Sequence, residues 1–261
     1  MSTHSYAIRD SATMLRRNLR HVLRYPGMTF GVLGTPVVML LLFRYVFGNT
    51  LGAGIGSAGH GGYIDYLTPG ITVLAVSSAS VSTAVAVNTD MTQGIINRFR
   101  TMAIARVSVL TGHVSGSVIQ TVTSAALVTG LAVAMGFRPT ASAAGWIAAT
   151  ALIVAVAFAL TWVSVALGLM AKTPENASNL PTPLVFLPFL GSAFIPPRSM
   201  APGLRWFAEY QPFTPIIETL RGLLTGTPIG DSALIAAAWC AGLALAGYVS
   251  ARALFNRGAA R

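Results

Sequence analysis

Residues 146–170 read WIAATALIVAVAFALTWVSVALGLM, twenty-five residues without a charge. A helix of that length reaches ~37 Å at ~1.5 Å per residue, more than the roughly 30 Å hydrocarbon core of a bilayer. Inside lipid every backbone N–H and C=O must be satisfied by the chain itself, so such a run crosses as a helix. Composition agrees. The chain is 54% hydrophobic and 9% charged, where soluble domains carry about 25% charged residues. It cannot clothe a water-facing surface, and the alternating pattern of a membrane β-barrel is missing.

Further apolar stretches at 28–47, 66–87, 107–136, 181–195 and 233–251 bring the expected spans to six. The fifth is short and proline-rich. Loops are expected at 48–64 and 171–180, with a turn at Arg138-Pro139. Residues 5–24 form a basic amphipathic helix, with Ile8, Leu15, Leu19, Val22 and Leu23 on one face and Arg9, Arg16, Arg17, Arg20 and Arg24 mainly on the other. Such a helix suits the headgroup plane of an anionic inner leaflet. It is not read as a cleavable leader, because the apolar stretch after it is of spanning length and no A-x-A site follows. The expected fold is thus all-α: an interfacial helix in 1–27, a six-helix transmembrane domain in 28–251, and a tail at 252–261.

Net charge is +10, carried by arginines with Lys172 as the single lysine. In a soluble protein this would point to nucleic acid. Here the charges flank apolar spans, where they set topology instead. With the termini inside, twelve basic residues fall on inside segments and five (Arg44, Arg138, Arg198, Arg205, Arg221) outside. The termini are therefore expected in the cytoplasm of a bacterial cell. Arg44, near the far end of the first span, can snorkel outward.

Three of those exceptions lie within 196–231, PPRSMAPGLRWFAEYQPFTPIIETLRGLLTGTPIGD. Prolines at 196, 197, 202, 212, 215 and 228 cut it into two helical pieces, near 203–211 and 215–224, each too short to span. Their apolar residues still need a nonaqueous neighbour, as two half-helices dipping in from outside would provide. A flat cap on the outer surface is the other reading. Glu218 and Arg221, three apart, are expected to pair.

Chemistry is sparse. There is no Walker A loop, HExxH, GxSxG or paired-aspartate motif, and His4, His21, His60 and His113 lack ligand spacing. Cys240 stands alone within an apolar run. The seven acids, Asp10, Asp65, Asp90, Glu175, Glu209, Glu218 and Asp231, fall at span ends or in polar segments. That counts against an ion-driven carrier, which needs carboxylates within spans. Ser77, Ser78, Ser80, Thr121, Thr123 and Ser124 lie within spans and are read mainly as packing residues.

One amphipathic stretch belongs to no span. In NTDMTQGIINRFRTMAIAR, residues 88–106, Ile95, Ile96, Phe99, Met102 and Ala103 share an arc of roughly 120°, opposite Asn97, Arg98, Arg100 and Thr101. A cytoplasmic helix at 94–104 could serve as a handle for an energy-supplying subunit, or simply cap the bundle.

This segment resembles the stretch between the second and third spans of type-2 ATP-binding cassette (ABC) exporter permeases, the daunorubicin-resistance branch in particular. Asp90, Gly94, Ile95, Ile96, Arg98, Phe99, Arg100, Thr101 and Met102 match the family pattern; Ala103 departs from its usual proline. Phe194, Pro196, Met200, Pro202, Pro212, Arg221 and Leu223 resemble the family's segment before the last span. The resemblance implies a coupling helix at 94–104 and re-entrant outer helices within 196–231. It also implies two cytoplasmic ABC ATPase subunits, a second permease copy or paralogue, and an amphipathic drug, polyketide or lipid as exported substrate. No cofactor is expected on this chain, since ATP and magnesium would bind the partner. A secondary carrier or channel, or a membrane anchor recruiting a cytoplasmic protein, are the alternatives.

Overall fold

A computed structural model describes residues 26–55, 62–92 and 106–258. The expected interfacial helix at 5–24 and coupling helix at 94–104 lie outside the described residues. Within them the chain is helical, with no strand. Helix α1 (Pro26–Leu41) runs into a π-helical segment, Leu42–Val46, that carries Arg44. Helix α2 (Gly48–Ile55) occupies part of the stretch expected as a loop. Then come α3 (Tyr63–Thr92), α4 (Arg106–Ala134) and α5 (Ala143–Met170). Two short helices, α6 (Pro174–Asn179) and α7 (Thr182–Phe186), precede 3-10 turns at Leu187–Leu190 and Pro197–Ser199. Helices α8 (Pro202–Tyr210), α9 (Phe213–Thr225) and α10 (Ser232–Gly258) complete the fold.

Among the described residues four helices are long and apolar enough to cross a membrane: α3, α4 from Val114, α5, and α10 as far as Phe255. The apolar part of the first expected span, Gly34–Val46, is shorter. The fifth expected span is not one helix. Pro181, Pro183 and Pro188 each lack an N–H and cut 181–195 into α7, a 3-10 turn and a non-helical stretch. The polar loop expected at 171–180 holds α6, started by Thr173, whose hydroxyl accepts from Asn176 N–H at 3.3 Å, and by Pro174 in the first turn.

Helix α3 is the axis of the bundle, with α1, α4, α5, α6 and α9 all packed on it. Its most apolar window is 72% buried; that of α10, which packs chiefly along α5, is 17% buried. The core joins Leu67, Ile71 and Leu74 of α3 to Val128 of α4, Leu160 of α5, and Ile217 and Leu220 of α9. Between spanning helices such contacts hold by close van der Waals packing, since lipid is as apolar as the side chains themselves. Near the C-terminal ends of both helices α3 and α5 touch backbone to backbone. A Cβ on Gly168 would stand 2.5 Å from the Ala84 carbonyl oxygen, so only glycine permits the approach. A second cluster, Val87, Val114, Trp162, Val165 and Phe255, fills the space below, with Trp162 edge-on to Tyr248 at 5.0 Å.

Candidate functional site

Of the expected coupling residues, Asp90 is described, in the last turn of α3. Gly94, Ile95, Ile96, Arg98, Phe99, Arg100 and Met102 lie outside the described residues. The frame around that gap is well defined. Asn88, buried near the end of α3, donates from Nδ2 to the carbonyls of Gly168 at 3.1 Å and Ala171 at 2.7 Å. It thereby satisfies two of the carbonyls that the end of α5 leaves without an intrahelical donor. Helix α6 follows at once and lies against α3, with Ala177 fully buried. Its exposed Glu175 is held below the usual carboxylate range by a backbone amide and by the Thr173 hydroxyl. The base of α3 is thus clasped to the end of α5 and to α6.

The residues expected in the outer segment gather at the other end of α3. Helices α8 and α9 fall close to the pieces expected at 203–211 and 215–224. Pro202 opens the first and Pro212 stands just ahead of the second. Helix α9 is embedded, with Phe213, Ile216, Ile217, Leu220 and Leu224 buried. Helix α8 buries only Ala208 and leaves Leu204, Trp206, Phe207 and Tyr210 exposed. On its surface Arg205 Nε meets Glu209 Oε1 at 2.7 Å.

Arg221 organises this end. Its Nη2 donates to the carbonyls of Ser192 at 2.7 Å and Tyr66 at 3.1 Å, and its Nε donates to Tyr66 at 3.2 Å. The guanidinium carbon stands 3.8 Å from the centroid of the Tyr66 ring, within cation–π range. No hydrogen bond or close ion pair joins it to Glu218, whose charge acts on it only through space. Glu218 instead accepts from the Ser232 hydroxyl at 3.3 Å, while Arg221 turns to main-chain oxygens, among them that of Ser192 in the non-helical stretch. A planar fork of five donors suits several carbonyls better than one carboxylate.

The stretch 187–194 is held from several sides. The Tyr63 hydroxyl donates to the Phe194 carbonyl at 3.0 Å, and Gln211 Nε2 donates to Leu187 at 3.2 Å. The Phe194 ring lies 4.2 Å from Phe43 and 4.9 Å from Phe189, tying the π segment to the broken segment. Ala193 presses on Gly70, where a Cβ would come within 2.6 Å of its backbone. Pro196 and Met200 are half-buried beyond this point. At the same end the Arg138 N–H donates to the Asp65 carboxylate at 3.3 Å.

Residue patterns alone miss Tyr63, Tyr66, Gln211 and Asn88. The i, i+3 tyrosines and a lone asparagine at a span end were the available signals. The Ser192 carbonyl, being backbone, offered none.

Helices of crossing length packed round a buried central helix, with a broken segment clamped at one end, define a multi-pass helical membrane protein. The chain belongs to the ABC-2 type transporter family, whose profile matches residues 10–225. It is similar to the daunorubicin resistance ABC transporter permease protein DrrB1 of Streptomyces coeruleorubidus: 28% identical over 222 residues, 85% of this chain and 77% of that protein. It is also similar to the inner membrane transport permease YadH of Escherichia coli K12: 25% identical over 206 residues, 77% of this chain and 78% of YadH. The chain is a transmembrane permease of that family.

Proposed function

We propose that the chain is the permease half of an ABC exporter that moves an amphipathic drug, polyketide or lipid out of the cell. The likeness to a daunorubicin resistance permease along 85% of the chain carries this reading. Two permease copies, or this chain and a paralogue, assemble in the inner membrane with two cytoplasmic ATPase subunits. In this reading both termini are cytoplasmic, and α1 and the broken segment 181–195 complete six crossings. Helices α8 and α9 form the re-entrant outer pair, with Arg221 holding the turns together. The helix at 94–104 docks on the ATPase through Ile95, Ile96, Phe99 and Met102, with Arg98 and Arg100 meeting acidic groups. Asn88 links that helix to α5. ATP drives transport by binding one conformation of the assembly better than the other.

The test is co-purification with the ABC ATPase encoded beside it, followed by ATPase activity in lipid with and without the chain. A stable complex and permease-dependent ATPase activity, both lost in Arg98→Glu and Phe99→Asp, are expected. A folded permease that neither binds nor stimulates an ATPase overturns the reading in favour of a carrier or channel.

A further inference from the structure

The hydroxyls inside the bundle are unevenly satisfied. A helical serine or threonine normally returns its proton to a carbonyl three or four residues back. Thr68 does so toward Ile64, Thr72 toward Thr68, Ser77 toward Val73, and Thr89 toward Val85. Within α3, α4 and α5, the hydroxyls of Ser78, Thr83, Thr121, Thr161 and Ser164 are buried with no hydrogen-bond partner among the described residues.

Those five lie within about six residues of helical rise along α3, roughly 9 Å. The Thr72–Thr129 hydrogen bond, 3.1 Å, fixes the antiparallel register of α3 and α4. Five and eight residues further along, Ser77 faces the level of Ser124, and Ser80 that of Thr121. The Ala84–Gly168 contact fixes α3 and α5, which run the same way. Seven and four residues back, Ser77 is level with Thr161, and Ser80 with Ser164. The result is two triads, Ser77, Ser124, Thr161 and Ser80, Thr121, Ser164, set ~4.5 Å apart by three residues of helical rise.

All six are buried. On the helical wheel, Thr161 and Ser164 flank Gly168, on the face α5 turns to α3. Toward either end of α3, Thr72 bonds Thr129 and the Asn88 Nδ2 donates to α5, while Asn88 Oδ1 has no partner among the described residues. Within α3, α4 and α5 the unmet hydroxyls therefore fall in a slab ~9 Å thick, with no charged residue on these turns; outside these helices the Ser192 hydroxyl also lacks a partner among the described residues.

A buried hydroxyl without a partner keeps the cost of its lost water, and a conformation that admits a partner recovers it. The absence of charge selects a neutral partner. We propose that this slab is a binding site that opens within one protomer when α4 or α5 parts from α3. Its hydroxyls take neutral hydrogen-bonding groups: the hydroxyls and carbonyls of an amphipathic substrate, or the water that accompanies it. The proposal rests on the permease reading for the cycle that opens the slab.

The test uses the permease–ATPase complex in proteoliposomes. Thr161→Cys and Ser164→Cys are made in a Cys240→Ala background, which removes the one native cysteine. A small charged methanethiosulfonate reagent is expected to modify both at least tenfold faster during ATP turnover than without nucleotide. Leu245→Cys, on the exposed apolar face of α10, stays unmodified. If daunorubicin slows the reaction, substrate enters the slab; if not, the guest is water. Absence of modification during turnover, or equal modification without nucleotide, overturns the proposal.

A second measurement does not depend on cysteine chemistry. The Thr161→Val/Ser164→Ala double variant is expected to melt at a higher temperature and to lose transport at least fivefold. A lower melting temperature would mean that the hydroxyls are already satisfied, and would also overturn the proposal. Wild-type chain that fails to stimulate the ATPase would instead sink the permease reading, leaving the melting comparison to judge the slab.

Discussion

The guanidinium of Arg221 lies over the ring of Tyr66 while donating two hydrogen bonds to that residue's own carbonyl. One residue of α9 thus grips both the face and the backbone of one residue of α3. The third bond, to the Ser192 carbonyl, draws the broken segment onto the same point.

Arg221→Met removes all three hydrogen bonds and leaves the Ser192 carbonyl without its donor. With hydrogen bonds to charged groups contributing ~1.5–3 kcal/mol each and not adding in full, a loss of about 2–4 kcal/mol is expected. Arg221→Lys keeps a charge but not the planar fork and should fall between. Thermal unfolding in detergent checks the order: wild type, then lysine, then methionine.

Glu218→Gln discriminates between an ion pair and the observed geometry. The glutamine carbonyl can still accept from Ser232, so the change should cost under about 0.5 kcal/mol, typical of a substitution away from a buried network. A loss approaching that of Arg221→Met would show that the carboxylate, not the carbonyls, holds the arginine.

At the other end of α3, Asn88→Ala takes away two donors to the end of α5. The expected loss is ~1–2 kcal/mol, and Asn88→Asp should lose more, because a carboxylate would face two carbonyl oxygens. If the clasp carries movement from the 94–104 segment to α5, Asn88→Ala also lowers transport per ATP hydrolysed while leaving ATPase binding intact. Parallel transport and ATPase assays separate the two effects.

Gly168→Ala places a methyl group against the Ala84 carbonyl and should cost about 1–3 kcal/mol as α5 is displaced. Gly242→Ala, in α10, meets nothing within 4 Å and should be neutral or stabilising by up to ~1 kcal/mol. Comparing melting temperatures isolates packing from helix propensity.

What sequence reveals here follows how locally each feature is determined. The breaks at Pro202 and Pro212 were legible because proline acts on its own turn, and α8 and α9 fall near the expected places. The stretch 181–195 looked like a span because its hydropathy is high. Its prolines were weighed as shortening a helix when they fragment it. The hydrogen-bond partners of Arg221 escape a local reading for a different reason. Glu218 is visible three residues away, whereas the carbonyls of Tyr66 and Ser192 are 155 and 29 residues distant and carry no side-chain signature. The hydroxyls of α3 and α4 were legible as intramembrane polar residues. That Thr161 and Ser164 of α5 stand level with them depends on the contact between Gly168 and Ala84, which no single helix encodes.

The bond between Arg221 and Tyr66 also sets an order of events during synthesis. A ribosome adding roughly 5–20 residues per second needs about 8–30 s to travel the 155 residues between them. For most of that interval α3 is complete without its clamp, and from Ser192 onward the broken segment waits for the same arginine. A chain interrupted before Arg221 therefore leaves the Ser192 carbonyl without its donor and exposes that end of α3 to a surveillance protease.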